Sequence, residues 1–539
     1  MHYDSNAPFR IPAFRPFVPW RLQPWIYVVF AFCFQLSGAR YMGALGAMQG
    51  GEALMREDLL MCLYANLAGL SLYFPLLMRM KFRFTNKTLL VVSALGVALC
   101  NVASAYCHWL PLLWAICFVE GMLKLQGTFE CISNIQLWFA PRYDFTRFFP
   151  ILLLFITGSM HLSGFYAAYY AMLGDWRLTH WLTVVLMLVM LLLLVTCTDR
   201  RRLVPRQPLY GIDWTGLLLW SALALEVAWV LTYGSWADWM HSAALRSVAL
   251  AALVTLALAV WRMLTVRHPY VSPAVFRSPR VVGILALVLV VEALMGVEQV
   301  LEEVGYEEVM GYGPWTRARM ELWAWAGCWT GCLFALWWMH MARLPRLRLV
   351  MVGLVLATSY LIMMYTTLSP ALPIERFYVP VFLRGAAAAL FSIALLTSLQ
   401  ASLPFPTFFQ GLAVCNLLHT YVGGSVGQAV YAHGLSHYVA DGMARYGAWI
   451  TPSRLATMLP SGTPPHEGLG PLMPEFVEQV MACAVKTLYG WAVFAALGLL
   501  LALLCYDSPA RRHAGSWLAD RRLVGPFPRQ RWRFLRAAR

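Results

Sequence analysis

Residues 180–233 read HWLTVVLMLVMLLLLVTCTDRRRLVPRQPLYGIDWTGLLLWSALALEVAWVLTY. An apolar run, His180–Thr196, breaks into a basic link, Asp199–Ile212, that carries Arg200, Arg201, Arg202 and Arg206, and a second apolar run, Asp213–Tyr233, follows. A hydrocarbon core of about 30 Å takes roughly 20 apolar residues per helical crossing, and both runs come close to that length. Lipid offers no partner to open backbone groups, so each run is predicted to be a helix. Two crossings joined by a short arginine-rich link describe a polytopic membrane protein.

The pattern holds outward in both directions. Of 539 residues 60% are hydrophobic and only 12% charged, against about 25% in a soluble domain. So little charge could not cover a soluble surface, which implies a lipid-facing exterior. Further runs are Trp25–Ala47, Leu59–Met78, Thr88–Tyr106, Leu110–Gln136, Phe148–Met172, Ala243–Trp261, Val281–Val300, Trp323–His340, Leu347–Thr367, Phe377–Gln400, Phe408–Tyr431 and Lys486–Cys505. The predicted fold class is therefore an all-α membrane protein of about fourteen transmembrane helices. The net charge of +15 sits in short links and tails, which makes it a topology signal and argues against a nucleic-acid partner. Arg79, Lys81, Arg83 and Lys87, then Arg142 and Arg147, the 199–212 link, Arg262, Arg267, Arg277 and Arg280, and Arg343, Arg346 and Arg348 all fall on one side. So do both tails, 1–24 and 506–539. The opposite links hold Glu57, Asp58, Asp175, Asp238, Glu302, Glu303, Glu307, Glu308, Glu375 and Asp441. By the positive-inside rule both termini are cytoplasmic. Residues 432–481, rich in Pro and Gly, are expected as a long outside connector, with a docking surface as the sharper reading.

Several stretches resemble the fourteen-span drug:proton antiporters of the major facilitator superfamily. They are Asp58 to Ala65, Asp175-Trp176-Arg177, Ile212-Asp213-Trp214 with Gly216, Tyr233-Gly234 with Asp238-Trp239, His268-Pro269 through Phe276-Arg277, Leu383-Arg384-Gly385, and Leu418 through Gly427. The resemblance implies two six-helix bundles, 25–198 and 263–505, separated by an inserted pair, 213–262. It implies helices one, four, nine and twelve around a central cavity, and efflux of amphipathic small molecules driven by protons. In a two-membrane bacterium it implies an inner-membrane location, with a periplasmic adaptor and an outer-membrane channel as partners. The chain departs from the family at Met78–Arg83, where the loop after helix two keeps only its basic character. It departs again at Glu120-Gly121, where relatives carry arginine, and at Gly158-Ser-Met-His161, where the Gly-Pro antiporter motif is missing. A transporter of one defined metabolite on the same fold therefore stays open beside the multidrug reading.

Ionisable groups inside the spans carry the chemistry. Each costs roughly 2.5–3.5 kcal/mol at the bilayer centre, so each faces a cavity or a partner. Arg40, Glu120, Lys124, Glu292 and Arg384 stand on the four cavity helices and are the first candidates for proton coupling or substrate binding. Glu130, His161, Glu226, Glu298 and His419 are secondary candidates. Glu120 and Lys124 share a helix face and could pair with each other. Glu298 is expected near the outer interface, solvated with Glu302 and Glu303. Cys328 and Cys332 share a face, yet no His or carboxylate joins them at ligand spacing, so no metal or cofactor is expected. A lipid-modifying enzyme would need a histidine or a nucleophile in an acidic interfacial cluster, and Glu302–Glu308 has neither. No Walker-type loop is present, which argues against ATP as the energy source. The partners expected are the lipid bilayer, protons and a small-molecule substrate.

Overall fold

The computed structural model describes residues 14–37, 48–49, 54–139, 144–200, 208–234, 236–369, 372–449, 451 and 465–507. The long helices among them, in chain order, are α1 (Gln23–Leu36), α2 (Arg56–Arg83), α3 (Asn86–Tyr106), α4 (Leu110–Phe139), α5 (Phe145–Met172), α6 (Leu178–Cys197) and α7 (Trp214–Tyr233). They continue as α8 (Ala243–Thr265), α9 (Pro279–Met295), α10 (Pro314–Leu336), α11 (Arg346–Thr367), α12 (Tyr378–Ser402), α13 (Phe405–Leu417), an extension of α13 over Gly423–Trp449, and α14 (Pro465–Tyr506). The only strand-like feature among the described residues is a single bridge between Phe14 and Thr198. Among the described residues, eleven helices are long and apolar enough to cross a membrane. The three remaining sequence runs fall on α1 and α13, which are short, and on α10, which opens with Arg317, Arg319 and Glu321.

Local chemistry starts the helices where the runs begin. Asp58 accepts from the Met55 N–H at 3.0 Å, Asp144 from Thr146 at 3.0 Å and Asp213 from Gly216 at 2.9 Å, each satisfying a helix-start donor. Proline at the first turn of α9, α10 and α13 is placed where its missing N–H costs nothing.

Two helices run further than the apolar pattern. Past α9 the chain stays helical through wide π turns, Glu298–Glu302 and Gly305–Val309. Past α13 a π turn, Leu418–Val422, leads into a helix over Gly423–Trp449. The long connector expected over 432–481 is therefore helical at both ends, over 432–449 and 465–481, and the residues between lie largely outside the described ones. The two arms pack on each other. Tyr446 and Phe476 rings sit 6.1 Å apart, and Trp491 Nε1 donates to the Tyr438 hydroxyl at 3.0 Å. With 42 residues, α14 is about 63 Å long at 1.5 Å per residue, roughly twice a hydrocarbon core. Polar residues of both arms thus extend beyond it.

Packing divides the helices into α1–α6 and α9–α14, which meet along α5 against α10 and α2 against α13; α7 and α8 lean on α2 and the helix after α13. Both halves use the same close approach. A Cβ at Gly69 would run into the Phe118 carbonyl and one at Gly121 into the Asn66 carbonyl, joining α2 to α4. A Cβ at Gly327 would meet the Phe382 carbonyl and one at Gly385 the Ala324 carbonyl, joining α10 to α12 in the same register. Small residues at such crossings let backbones touch. The repeat sets α10 and α12 against α2 and α4, and it matches Glu120, before Gly121, with Arg384, before Gly385. Two parallel repeats of this kind meet along a shared seam.

The inserted pair is clasped at its base. Arg262 Nη2 lies 2.7 Å from Asp213, which also accepts from the Tyr270 N–H at 3.2 Å. Burial pushes the Asp213 carboxyl up, but the Arg262 hydrogen bond and the Gly216 and Tyr270 N–H groups outweigh it and hold the group below its usual value. A carboxyl depressed on folding stabilises above its unfolded value and loses that contribution as pH falls through the folded one. Purified Asp213→Asn is therefore expected to be less stable than wild type at pH 7, with the gap closing below about pH 4, read as melting temperature in detergent. Gly327→Leu is expected to lose about 1–3 kcal/mol or fail to assemble. Gly164→Ala, with nothing within 4 Å, should melt like wild type.

Candidate functional site

The close approach of α10 and α12 brings Arg384 beside Glu321. Arg384 Nη2 donates to both Glu321 oxygens, each at 2.7 Å, in a charge-assisted bifurcated contact. Its Nη1 donates to Glu302 and lies 3.4 Å from Glu298 on the π extension of α9. Tyr360 of α11 donates to the other Glu302 oxygen at 2.5 Å. Three carboxylates thus surround one guanidinium. From the other half, His161 of α5 places Nδ1 3.6 Å from Glu321, and its Nε2 lies 3.9 Å from the Cys328 thiol. Nearby, Arg56 at the start of α2 pairs with Glu303 and donates to the Gln299 carbonyl at 3.3 Å, and Arg317 lies 3.1 Å from Glu307. Tyr64 of α2 donates to Gln428 at 2.7 Å. The charged cluster therefore crosses the seam between the halves.

Exposure sorts the members. The side chains of Arg384 and Glu302 are each 3% exposed, while Glu298 keeps 45% and Glu321 31%. Glu298 and Glu321 lie where α5, α9, α10 and α12 converge, so their open surface belongs to a polar cavity at the seam. Arg56 and Arg317 keep comparable open surface, at 30% and 24%, whereas the Arg384 guanidinium is covered by its three carboxylates.

A second pair lies deeper. Glu292 of α9 and His419, in the π turn after α13, stand 2.7 Å apart through Oε1 and Nδ1. Ser392 of α12 lies 3.4 Å from the far ring nitrogen. The imidazole is 35% exposed and Glu292 20%.

The other sequence candidates go elsewhere. Glu120 is fully buried within the first half and accepts from Asn101 at 3.0 Å, with His180 3.2 Å from the same Asn101. Lys124, also buried, lies one turn along the same helix. Glu130 accepts from Asn86 at 2.8 Å and Gln126 at 3.2 Å, with Lys81 3.6 Å away. Glu226 accepts from Thr255 at 3.3 Å inside the inserted pair. Arg40 lies outside the described residues. Glu302 corrects the reading of Glu298, Glu302 and Glu303 as a solvated outer cluster: the π turns carry α9 past its apolar run, so Glu302 is buried on Arg384. Glu321 stands two residues before the apolar run that opens at Trp323, so hydropathy alone does not reach it. The signal was Gly313-Pro314, since proline at the first turn starts α10 two turns before Glu321.

The arrangement of these helices is shared with known transporters. The peptide transporter POT in complex with sulfate superposes with a TM-score of 0.54 at 15% identity, covering 94% of this chain and 97% of that one. The nucleoside transporter NupG gives 0.51 at 12%, over 90% and 100%. The human organic anion transporter MFSD10 gives 0.50 at 12%, over 89% and 100%. These are major facilitator superfamily transporters, and the chain has their fold. No protein-family model matches the sequence, and no curated protein matches it.

Removing Arg384 would leave Glu302 buried without its countercharge. Arg384→Ala is expected to cost about 3–5 kcal/mol. Arg384→Lys should recover only part, because an ammonium cannot serve Glu302 and both Glu321 oxygens together. Thermal unfolding of the purified variants checks both.

Proposed function

We propose that this protein is a secondary transporter of alternating access that exchanges protons for an organic cation, working with fourteen crossings and both termini in the cytoplasm of a bacterial inner membrane. One observation carries the reading: the carboxylates Glu298 and Glu321 keep open surface at the seam although both stand against Arg384, which is itself buried. Such carboxylates hold either protons or the positive group of a solute, and that competition is the basis of antiport. A proton taken from one side neutralises a carboxylate. When the halves rock to the other side, a cation takes the proton's place. The resemblance in sequence to drug:proton antiporters supports efflux as the direction.

A second reading, transport of one defined amine-bearing metabolite, is favoured by His161, which stands in α5 beside Glu321 where the antiporter motif is missing. Proteoliposomes with an imposed pH gradient separate the readings. Ethidium, tetraphenylphosphonium and anionic dyes serve as the panel, with small polyamines and basic amino acids beside them. Gradient-driven movement of several unrelated cations and of no anion is expected. Glu298→Gln and Glu321→Gln should each lower it by about tenfold, a loss of roughly 1.4 kcal/mol. Movement of a single amine favours the second reading. Movement of anions alone overturns both.

A further inference from the structure

The cluster on Arg384 leaves the Glu292–His419–Ser392 chain without a role. It is a separate site. Along α9, Glu298 follows Glu292 by about 9 Å, and along α12, Ser392 follows Arg384 by about 12 Å, at 1.5 Å per residue. The chain is built by the fold. The π turn Leu418–Val422 presents His419 to α9, and Gly423 beside it has no room for a side chain, since a Cβ there would come within 2.5 Å of Glu292 Cβ. Ser392 donates its own proton to the Ala388 carbonyl at 2.9 Å, so towards His419 its oxygen is an acceptor. The ring nitrogen facing Ser392 therefore carries a hydrogen. The other faces a carboxylate at 2.7 Å. An imidazole with an acceptor at each nitrogen is satisfied on both sides only when both nitrogens are protonated.

The elements packed on this turn supply few other charges. α9 presents Glu292, α12 Ser392 and α13 the Cys415 thiol, while Tyr64 of α2 and Tyr233 of α7 belong to the hydrophobic cluster that reaches Val422. The imidazole keeps open surface, so a proton can enter and leave it. An imidazole titrates near neutrality, at about 6.5 when unperturbed. A cation seated at Glu298 and Glu321, about 9–12 Å away along α9 and α12, disfavours a second positive charge on the ring through the low-dielectric interior. Loading of the cation therefore helps expel the proton from His419.

We infer that the Glu292–His419 pair is a second proton site, so that two protons exchange for each monovalent cation and the cycle carries net charge. This rests on the proposed cation exchange. It sets the membrane potential beside the pH gradient as a driving force, worth about 2.3 kcal/mol per charge per 100 mV.

The test uses the full-length protein in proteoliposomes loaded with ethidium, with equal pH on both sides and a potential imposed by potassium and valinomycin. Two protons for one cation predicts that ethidium leaves the negative compartment, against the pull on its own charge. One-for-one exchange predicts no response to the potential and overturns the inference. A leak retains ethidium on the negative side, as protein-free vesicles show, and also overturns it. His419→Gln and Glu292→Gln are expected to abolish the outward movement driven by potential and to move the balance point of opposed pH and cation gradients from two protons per cation to one. An unchanged balance point in both variants assigns the pair a purely structural role. A pH gradient that moves ethidium while the potential does not leaves the cation exchange standing and removes only the second site. Failure of the pH gradient itself removes both.

Discussion

A guanidinium buried among carboxylates governs the arrangement of this protein. Arg384 is almost wholly covered, and its charge is met by Glu302, Glu321 and Glu298 from two neighbouring helices. Taking ions out of water costs several kilocalories per mole each, and a well-packed apolar replacement is often as stable. Stability alone therefore gives a weak account of the cluster. Its more telling property is asymmetry. Glu302 is fixed by Arg384 and Tyr360 and closed to water, whereas Glu298 and Glu321 keep open surface at the seam. A fixed carboxylate holds the arginine in place, and open ones are free to change partner.

That asymmetry depends on backbone geometry. Gly327 and Gly385 bring α10 and α12 together closely enough for the Arg384 guanidinium to reach Glu321. The equivalent glycines 69 and 121 do the same for α2 and α4, yet the residue before Gly121 is Glu120, turned to Asn101 within its own half. The two repeats thus share a scaffold and differ in charge. The second half carries the polar groups Glu292, Glu298, Glu321, Arg384 and His419; from the first half His161 reaches Glu321, while Arg56 and Tyr64 reach the neighbouring Glu303 and Gln299. π turns recur at these places, under Glu298–Glu302 and under His419. A wide turn shifts the phase of the side chains that follow it, and such turns are frequent at functional sites.

The sequence by itself determined that this is a membrane protein of many helices, because lipid demands long apolar runs with closed backbone hydrogen bonds and every run stands in the linear chain. It also exposed the ionisable residues Glu292, Glu298, Arg384 and His419, since a charge within an apolar run is visible without neighbours. It could not give their partners. Glu302 and Glu321 lie beyond the apolar stretches and look like link residues, and only the π extension of α9 and the early start of α10 bring them under Arg384. Glu120 and Arg384 hold equivalent positions and are both buried; their partners set them apart, Asn101 within the first half for Glu120 and carboxylates at the seam for Arg384. Pairing and access to water are properties of neighbours brought from distant parts of the chain, and hydropathy, a local sum, contains neither. The tertiary structure decided which charges are locked and which are open to the seam.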